Sequence, residues 1–137
     1  MRFKTTTKLA LLGLGLSGIV VTSAALAGDV YVISHPSVEL SAAEIKDVYL
    51  GDKQFAGAIK LVPVDNAAVQ NDFLAKAIKL STEKYGSIWT KKGFRDGMTA
   101  PAIKSSDADV ISFVKSTPGA VGYVSTPATG VKTLNKY

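Results

Sequence analysis

Short β-rich apolar runs alternate along this chain with stretches whose apolar residues recur at helical spacing. That alternation constrains the fold more than any other feature, because it selects the α/β class. Val30-Tyr31-Val32-Ile33 is the first run, bounded by Gly28-Asp29 and Ser34-His35-Pro36. Ser41-Ala42-Ala43-Glu44 is a capping box that opens a short helix with Ile45, Val48 and Tyr49 inward and Gly51 as its stop. Lys60-Leu61-Val62-Pro63-Val64 is the second run. Pro63 has no amide proton, which places it at an edge, a bulge or the last turn of the strand.

Asp65 or Asn66 is then expected to cap a helix reaching about Leu80, with Val69, Phe73, Ala77 and Leu80 in one stripe widened by Leu74 and Ile78. Ser81 caps another helix, with Tyr85, Ile88 and Trp89 inward and Gly93 as its expected end. Phe94 to Lys104 reads as irregular. Ser106-Asp107-Ala108-Asp109 opens a further helix carrying Val110, Phe113 and Val114. After the Pro118-Gly119 turn, Ala120 to Val124 is a third strand, and Val131 to Leu134 a short last one.

The first 27 residues have a different character. Arg2, Lys4 and Lys8 precede an apolar run from Leu9 to Val21, and small residues follow at Ala25 and Ala27. Basic, apolar and Ala-x-Ala segments in that order are the plan of a secretory signal peptide. The expectation is a leader over 1–27, one domain over 28–137, a periplasmic location and no membrane span after cleavage. The 19 uncharged residues from Leu9 to Ala27 would also suffice for an uncleaved anchor, but their glycines and small-residue end favour cleavage.

The leader accounts for much of the basic character. The whole chain of 137 residues carries +5, and the part from Gly28 onward carries only +2. Its one basic cluster, Lys91-Lys92 with Arg95, is too small to hold duplex DNA, so nucleic acid is not an expected partner. Cysteine is absent, which excludes a disulfide scaffold, a zinc–thiolate site, a cysteine nucleophile and a lipid anchor.

No catalytic constellation is visible. His35 is the only histidine; Ser34 and Ser37 flank it, but no G-x-S-x-G elbow exists. No metal-ligand spacing joins Asp47, Asp52, Asp65 and Asp72. Gly119-Ala120-Val121-Gly122 precedes a strand and lacks the lysine of a phosphate loop. The expectation is a protein that is not an enzyme and uses no cofactor or metal. Trp89 and Tyr85 read as core residues.

Several segments resemble the phosphate-binding proteins of ABC transporters. Leu40 to Gly51 is similar to their "L-s-x-x-e-l-x-x-I-F-x-G" stretch, and Leu61-Val62-Pro63-Val64-Asp65 with Phe73 to their next strand and helix. Trp89 before a Lys-Gly-Phe run, and Thr117-Pro118-Gly119-Ala120-Val121-Gly122-Tyr123-Val124, complete the set in the same order. The resemblance covers nearly all of residues 29 to 126. It implies a single lobe, second in family order, of a type 2 periplasmic-binding-protein-like fold, with a mixed sheet flanked by helices.

The resemblance further implies non-catalytic binding of phosphate or another small oxyanion, for uptake or sensing. A helix N-terminus and adjacent strand ends would capture the anion. Asn66 and Gln70 would donate side-chain amides, Ser34 a hydroxyl, and Lys92 or Arg95 charge. The family's arginine and its Ser-Gly-Thr loop correspond here to Pro63 and Ala67-Ala68-Val69, so the guanidinium and both hydroxyls are missing. Asp65, at the same helix start, would repel an anion or occupy the amides itself. The alternative is an accessory or protein-interaction module that has lost the anion site. A transporter permease, another periplasmic protein or a second copy of the chain would be its partner, docked near the Phe94 to Pro101 segment.

Overall fold

The computed structural model describes residues 28–137, and the leader expected over 1–27 lies outside them. The chain runs through β1 (Tyr31–Ser34), a 3-10 turn (Ala42–Glu44) that continues into α1 (Ile45–Tyr49), and a small hairpin of β2 (Phe55–Ala56) and β3 (Ile59–Lys60). Next come β4 (Val62–Asn66), α2 (Gln70–Phe73) with a π-helical extension (Leu74–Ile78), and α3 (Thr82–Asp96). β5 (Ala102–Lys104), α4 (Asp107–Ser116), β6 (Ala120–Val124) and β7 (Lys132–Lys136) complete it. The expected α/β class is what the chain adopts.

Five strands form one mixed sheet in the order β5-β4-β6-β1-β7. β4 runs parallel to β5 and β6, whereas β1 is antiparallel to both β6 and β7. Tyr31 lies opposite Val124 and also opposite Lys136. Just before β1, Val30 exchanges two backbone hydrogen bonds with Tyr137, at 3.0 and 2.8 Å, which ties the two ends of the described chain together.

Side chains alternate across a strand, so the sheet feeds two separate apolar cores. On one face α4 covers Ile33, Val64, Ala120 and Val124 with Val110 and Val114. On the other, α1, α2 and α3 bury Val32, Val121 and Tyr123 against Tyr49, Phe73, Leu74, Ile78 and Trp89. Each fully buried aliphatic or aromatic side chain contributes roughly 1.5–3 kcal/mol. Every residue of β6 is buried, and this strand sits at the centre of both layers.

Two glycines set the closeness of that packing. Gly119 turns the chain into β6 at φ 87, and a Cβ there would come within 2.1 Å of the Lys60 carbonyl oxygen. Gly122 lies under α4, where a Cβ would stand 2.5 Å from Val110 Cγ1.

The structure moves several expected boundaries. The capping box is present, with the Ser41 N–H donating to Glu44 Oε1 at 2.9 Å. Ser81 and Ser106 cap α3 and α4 through their hydroxyls. α3, however, runs through Gly93 to Asp96 and stops at Gly97, which takes up the left-handed conformation at φ 67. One glycine costs a helix interior only about 1 kcal/mol, so Gly93 is carried by its neighbours. The helix expected to reach Leu80 ends at Ile78, where Lys79 turns left-handed at φ 66. Within the segment read as irregular, Ala102–Lys104 pairs with β4 as an edge strand.

Pro63 is accommodated on physical grounds. The Val62 N–H donates to the Gly119 oxygen on the β6 side, so the next residue's nitrogen points the other way, toward β5. β5 begins only opposite Val64, and at Pro63 that side of the strand is an edge.

Candidate binding site

The C-terminal end of β4 and the loop into α2 are where the resemblance would place an anion. Asp65 and Asn66 are not helix caps, as expected from sequence, but the last two residues of β4, and both are buried. Asp65 points into the core between two tyrosines. Tyr123 Oη donates to its Oδ1 at 2.7 Å and Tyr85 Oη to its Oδ2 at 2.8 Å. Burial raises the Asp65 pKa, and hydrogen bonds from Tyr123, Tyr85 and Gln70 pull it part of the way back. The same burial, with the Asp65 charge beside them, pushes both tyrosine hydroxyls well above their ordinary range. The carboxylate therefore neither faces the loop nor occupies its amides, contrary to the expectation for Asp65.

Asn66 closes the loop instead. Its Oδ1 accepts from the Ala68 N–H at 3.0 Å, a local side-chain turn that competes with helix start. Its Nδ2 donates to Asp107 Oδ1 at 2.8 Å and to the Tyr123 carbonyl at 3.0 Å. Ala67 N–H donates to the Lys104 carbonyl at 2.8 Å, and Val69 N–H to the Asn66 carbonyl at 3.2 Å. All three amides at the Ala67-Ala68-Val69 positions thus have partners within the chain. Asp107 in turn accepts from the Ser125 backbone at 3.1 Å and hydroxyl at 2.6 Å, which joins the loop to the end of β6.

The residues expected to bind together are divided among three places. Asn66, at the end of β4, and Gln70, the first residue of α2, flank the β4–α2 loop and a polar depression lined by residues 67–72. Ser34 is buried at the opposite end of the sheet, opposite Val121, itself opposite Pro63. That places it three strand residues from Asn66 along the sheet, about 10 Å, and two strands away across it, about 10 Å more. Its hydroxyl donates to the neighbouring His35 carbonyl at 3.2 Å. Lys92 is tied to the end of α1, donating to the Leu50 carbonyl and to Asp52 Oδ1, the latter at 2.8 Å. Arg95 is exposed and reaches only Asp96, at 3.8 Å.

A second and larger concavity lies away from this loop, against the open edge of β4. Its volume is about 680 Å³, within the range of small-molecule sites. Pro63, Trp89, Met98, Pro101 and Phe113 form its apolar lining. Trp89 is held from behind, its Nε1 donating to the Tyr49 carbonyl at 3.1 Å. Lys53, Lys60 and Lys104 also line it, and no aspartate or glutamate does. Sequence reasoning missed this cleft, because its residues come from five separate stretches. The one local signal was the absent amide of Pro63, which marks a bare strand edge.

The His35 ring lies beside Ser37, with Nδ1 2.7 Å from Ser37 Oγ, and no carboxylate hydrogen-bonds it among the described residues. No group of three or more His, Cys, Asp or Glu is placed to share a metal among those residues. No described helix is long and apolar enough to cross a membrane.

The architecture is a mixed sheet with helices packed on both faces. Among solved structures, the chain shares this fold with a protein described as a phosphate ABC transporter substrate-binding protein from Clostridium perfringens, crystallised with phosphate. The TM-score is 0.57 at 17% identity, over 78% of this chain and 45% of that one. An ABC-type phosphate transport receptor from Vibrio cholerae matches at TM-score 0.49 and 13% identity, over 78% of this chain and 46% of the other. PstS from Borrelia burgdorferi matches at 0.47 and 16%, over 71% and 41%. The chain spans less than half the length of each. No family model matches it, and no curated protein matches it by sequence.

Proposed function

We propose that this chain is an exported, non-catalytic binding protein built on a substrate-binding fold, in which the chain itself fills the family's oxyanion position. The leader-like segment from Arg2 to Ala27 supports export. The fold shared with a substrate-binding protein supports a binding role rather than catalysis. One observation carries the rest: the amides of Ala67, Ala68 and Val69 all donate within the chain, and the Asn66 side chain is committed to Asp107 and Tyr123. An incoming phosphate would have to displace these bonds with no arginine to compensate. Isothermal titration of the purified protein with phosphate tests this. The expected trace is flat at millimolar ligand, and saturable heat would reopen the loop as a phosphate site.

A second reading is an accessory module that captures another protein, whether a permease, a periplasmic partner or a second copy. Exposed apolar side chains favour it: Phe94 is 89% exposed at the end of α3, and Ile103 is 60% exposed on the edge strand β5. Phe94→Ser with Ile103→Ser would abolish any concentration-dependent self-association seen by analytical ultracentrifugation. A dimer that survives both changes would remove this surface from consideration.

A further inference from the structure

We infer that the cleft between the end of α3 and the bare edge of β4 binds a small amphipathic anion: an apolar ring or short chain bearing one carboxylate or sulfonate. The inference adds a ligand class to the binding-protein reading, at a place separate from the β4–α2 loop. It starts from the combination of lining residues. Trp89, Met98 and Phe113 offer an apolar and aromatic surface, whereas every charged group on the lining is a lysine.

The nearby acids are already paired. Glu44 holds Lys53 at 3.2 Å and Asp52 holds Lys92 at 2.8 Å. Lys60 and Lys104 have no ion pair among the described residues. Lys104 Nζ stands 4.4 Å from the centre of the Phe113 ring, at the cleft wall. An ammonium over a ring tolerates an added anion, because the two attractions use different sides of the charge. The apolar floor and cationic rim complement a ligand that is apolar at one end and anionic at the other. Bare phosphate lacks the apolar part, and a neutral arene lacks the charge.

The protein reports its own occupancy, because Trp89 is its only tryptophan and lines the cleft. The test is titration of the intact protein with naphthalene-1-acetate, followed by Trp89 fluorescence. Neutral naphthalene-1-acetamide and inorganic phosphate serve as comparison ligands. The expected result is saturable quenching below about 1 mM by the carboxylate, at least about tenfold tighter than by the amide, and none by phosphate.

Lys60→Glu with Lys104→Glu should weaken the carboxylate by about tenfold or more while circular dichroism stays unchanged. Phe94→Ser, outside the lining, should bind as the parent does. No saturable quenching, equal affinity for acid and amide, or undiminished binding by the double variant overturns the inference. Loss of binding in Phe94→Ser would move the site to the exposed end of α3 and overturn it equally. A flat phosphate titration alone bears on the loop and leaves the cleft untouched.

Discussion

Tyr123 Oη and Asp65 Oδ1 lie 2.7 Å apart in the centre of the domain, and the ring of the same tyrosine stacks on Phe73 at 3.8 Å. One residue thus serves the aromatic core and holds a buried carboxylate. The Asp65 pKa is raised by burial above its ordinary value near 3.8. The folded state therefore binds the proton more tightly than the unfolded chain does. Stability from this group is fully present below the unfolded pKa and is lost as pH rises through the raised folded one. Asp65→Asn should remove that slope: above about pH 3.8, parent stability falls relative to the variant as pH rises through the raised folded pKa. Urea midpoints measured at several pH values check this, and parallel curves would refute it.

The Asn66 side chain makes three hydrogen bonds from a fully buried position. Asn66→Ala leaves the Ala68 N–H, an Asp107 oxygen and the Tyr123 carbonyl short of a partner. Each buried polar group so stranded costs about 1–3 kcal/mol, less where water reaches it. Equilibrium unfolding should show a loss of about 2 kcal/mol or more, and a loss below about 0.5 kcal/mol would show that the loop is not held this way.

Gly122→Ala tests the contact between α4 and the sheet. The new methyl group would sit 2.5 Å from Val110 Cγ1 and 3.3 Å from Val64 Cγ2. Relief requires α4 to lift from a close-packed face, at about 1–3 kcal/mol. Thermal denaturation should record it as a lowered Tm. Val110→Ala in the same chain should restore part of the loss, because it removes the clashing atom.

Lys92 and Arg95 lie three residues apart on α3 but should behave differently. Lys92 bridges the Leu50 carbonyl and Asp52, with its side chain mostly covered. Arg95 is largely exposed and holds one long contact. Arg95→Ala should stay within about 0.5 kcal/mol of the parent in urea unfolding. Lys92→Met should cost about 1 kcal/mol or more, because it strands the Leu50 carbonyl. Equal effects would refute the distinction.

The α/β class, the two serine caps, the capping box and the inward faces of α1 and α3 were legible because each depends on residues within one turn or one strand. The β4–α2 junction was not. Asp65 and Asn66 are good helix-capping residues by type, yet Asp65 is drawn into the core by Tyr85 and Tyr123, and Asn66 by Asp107. Those partners lie 20 to 58 positions away, and no local rule places them. The proposed grouping of Ser34 with Asn66 failed for the same kind of reason. Strand direction decides which end of the sheet a residue reaches, and β1 runs opposite to β4.

The place of β1 in the sheet bears on how the molecule forms. Among the described strands, β1 pairs only with β6 and β7, the last two, and Val30 just before it bonds to Tyr137. Among the described strands, a growing chain has no neighbour for β1 until almost all of it has been made. Pairings this distant in sequence carry a large loop-closure cost and slow the search for the native state. The sheet therefore cannot be completed until its last two strands are available to receive the first.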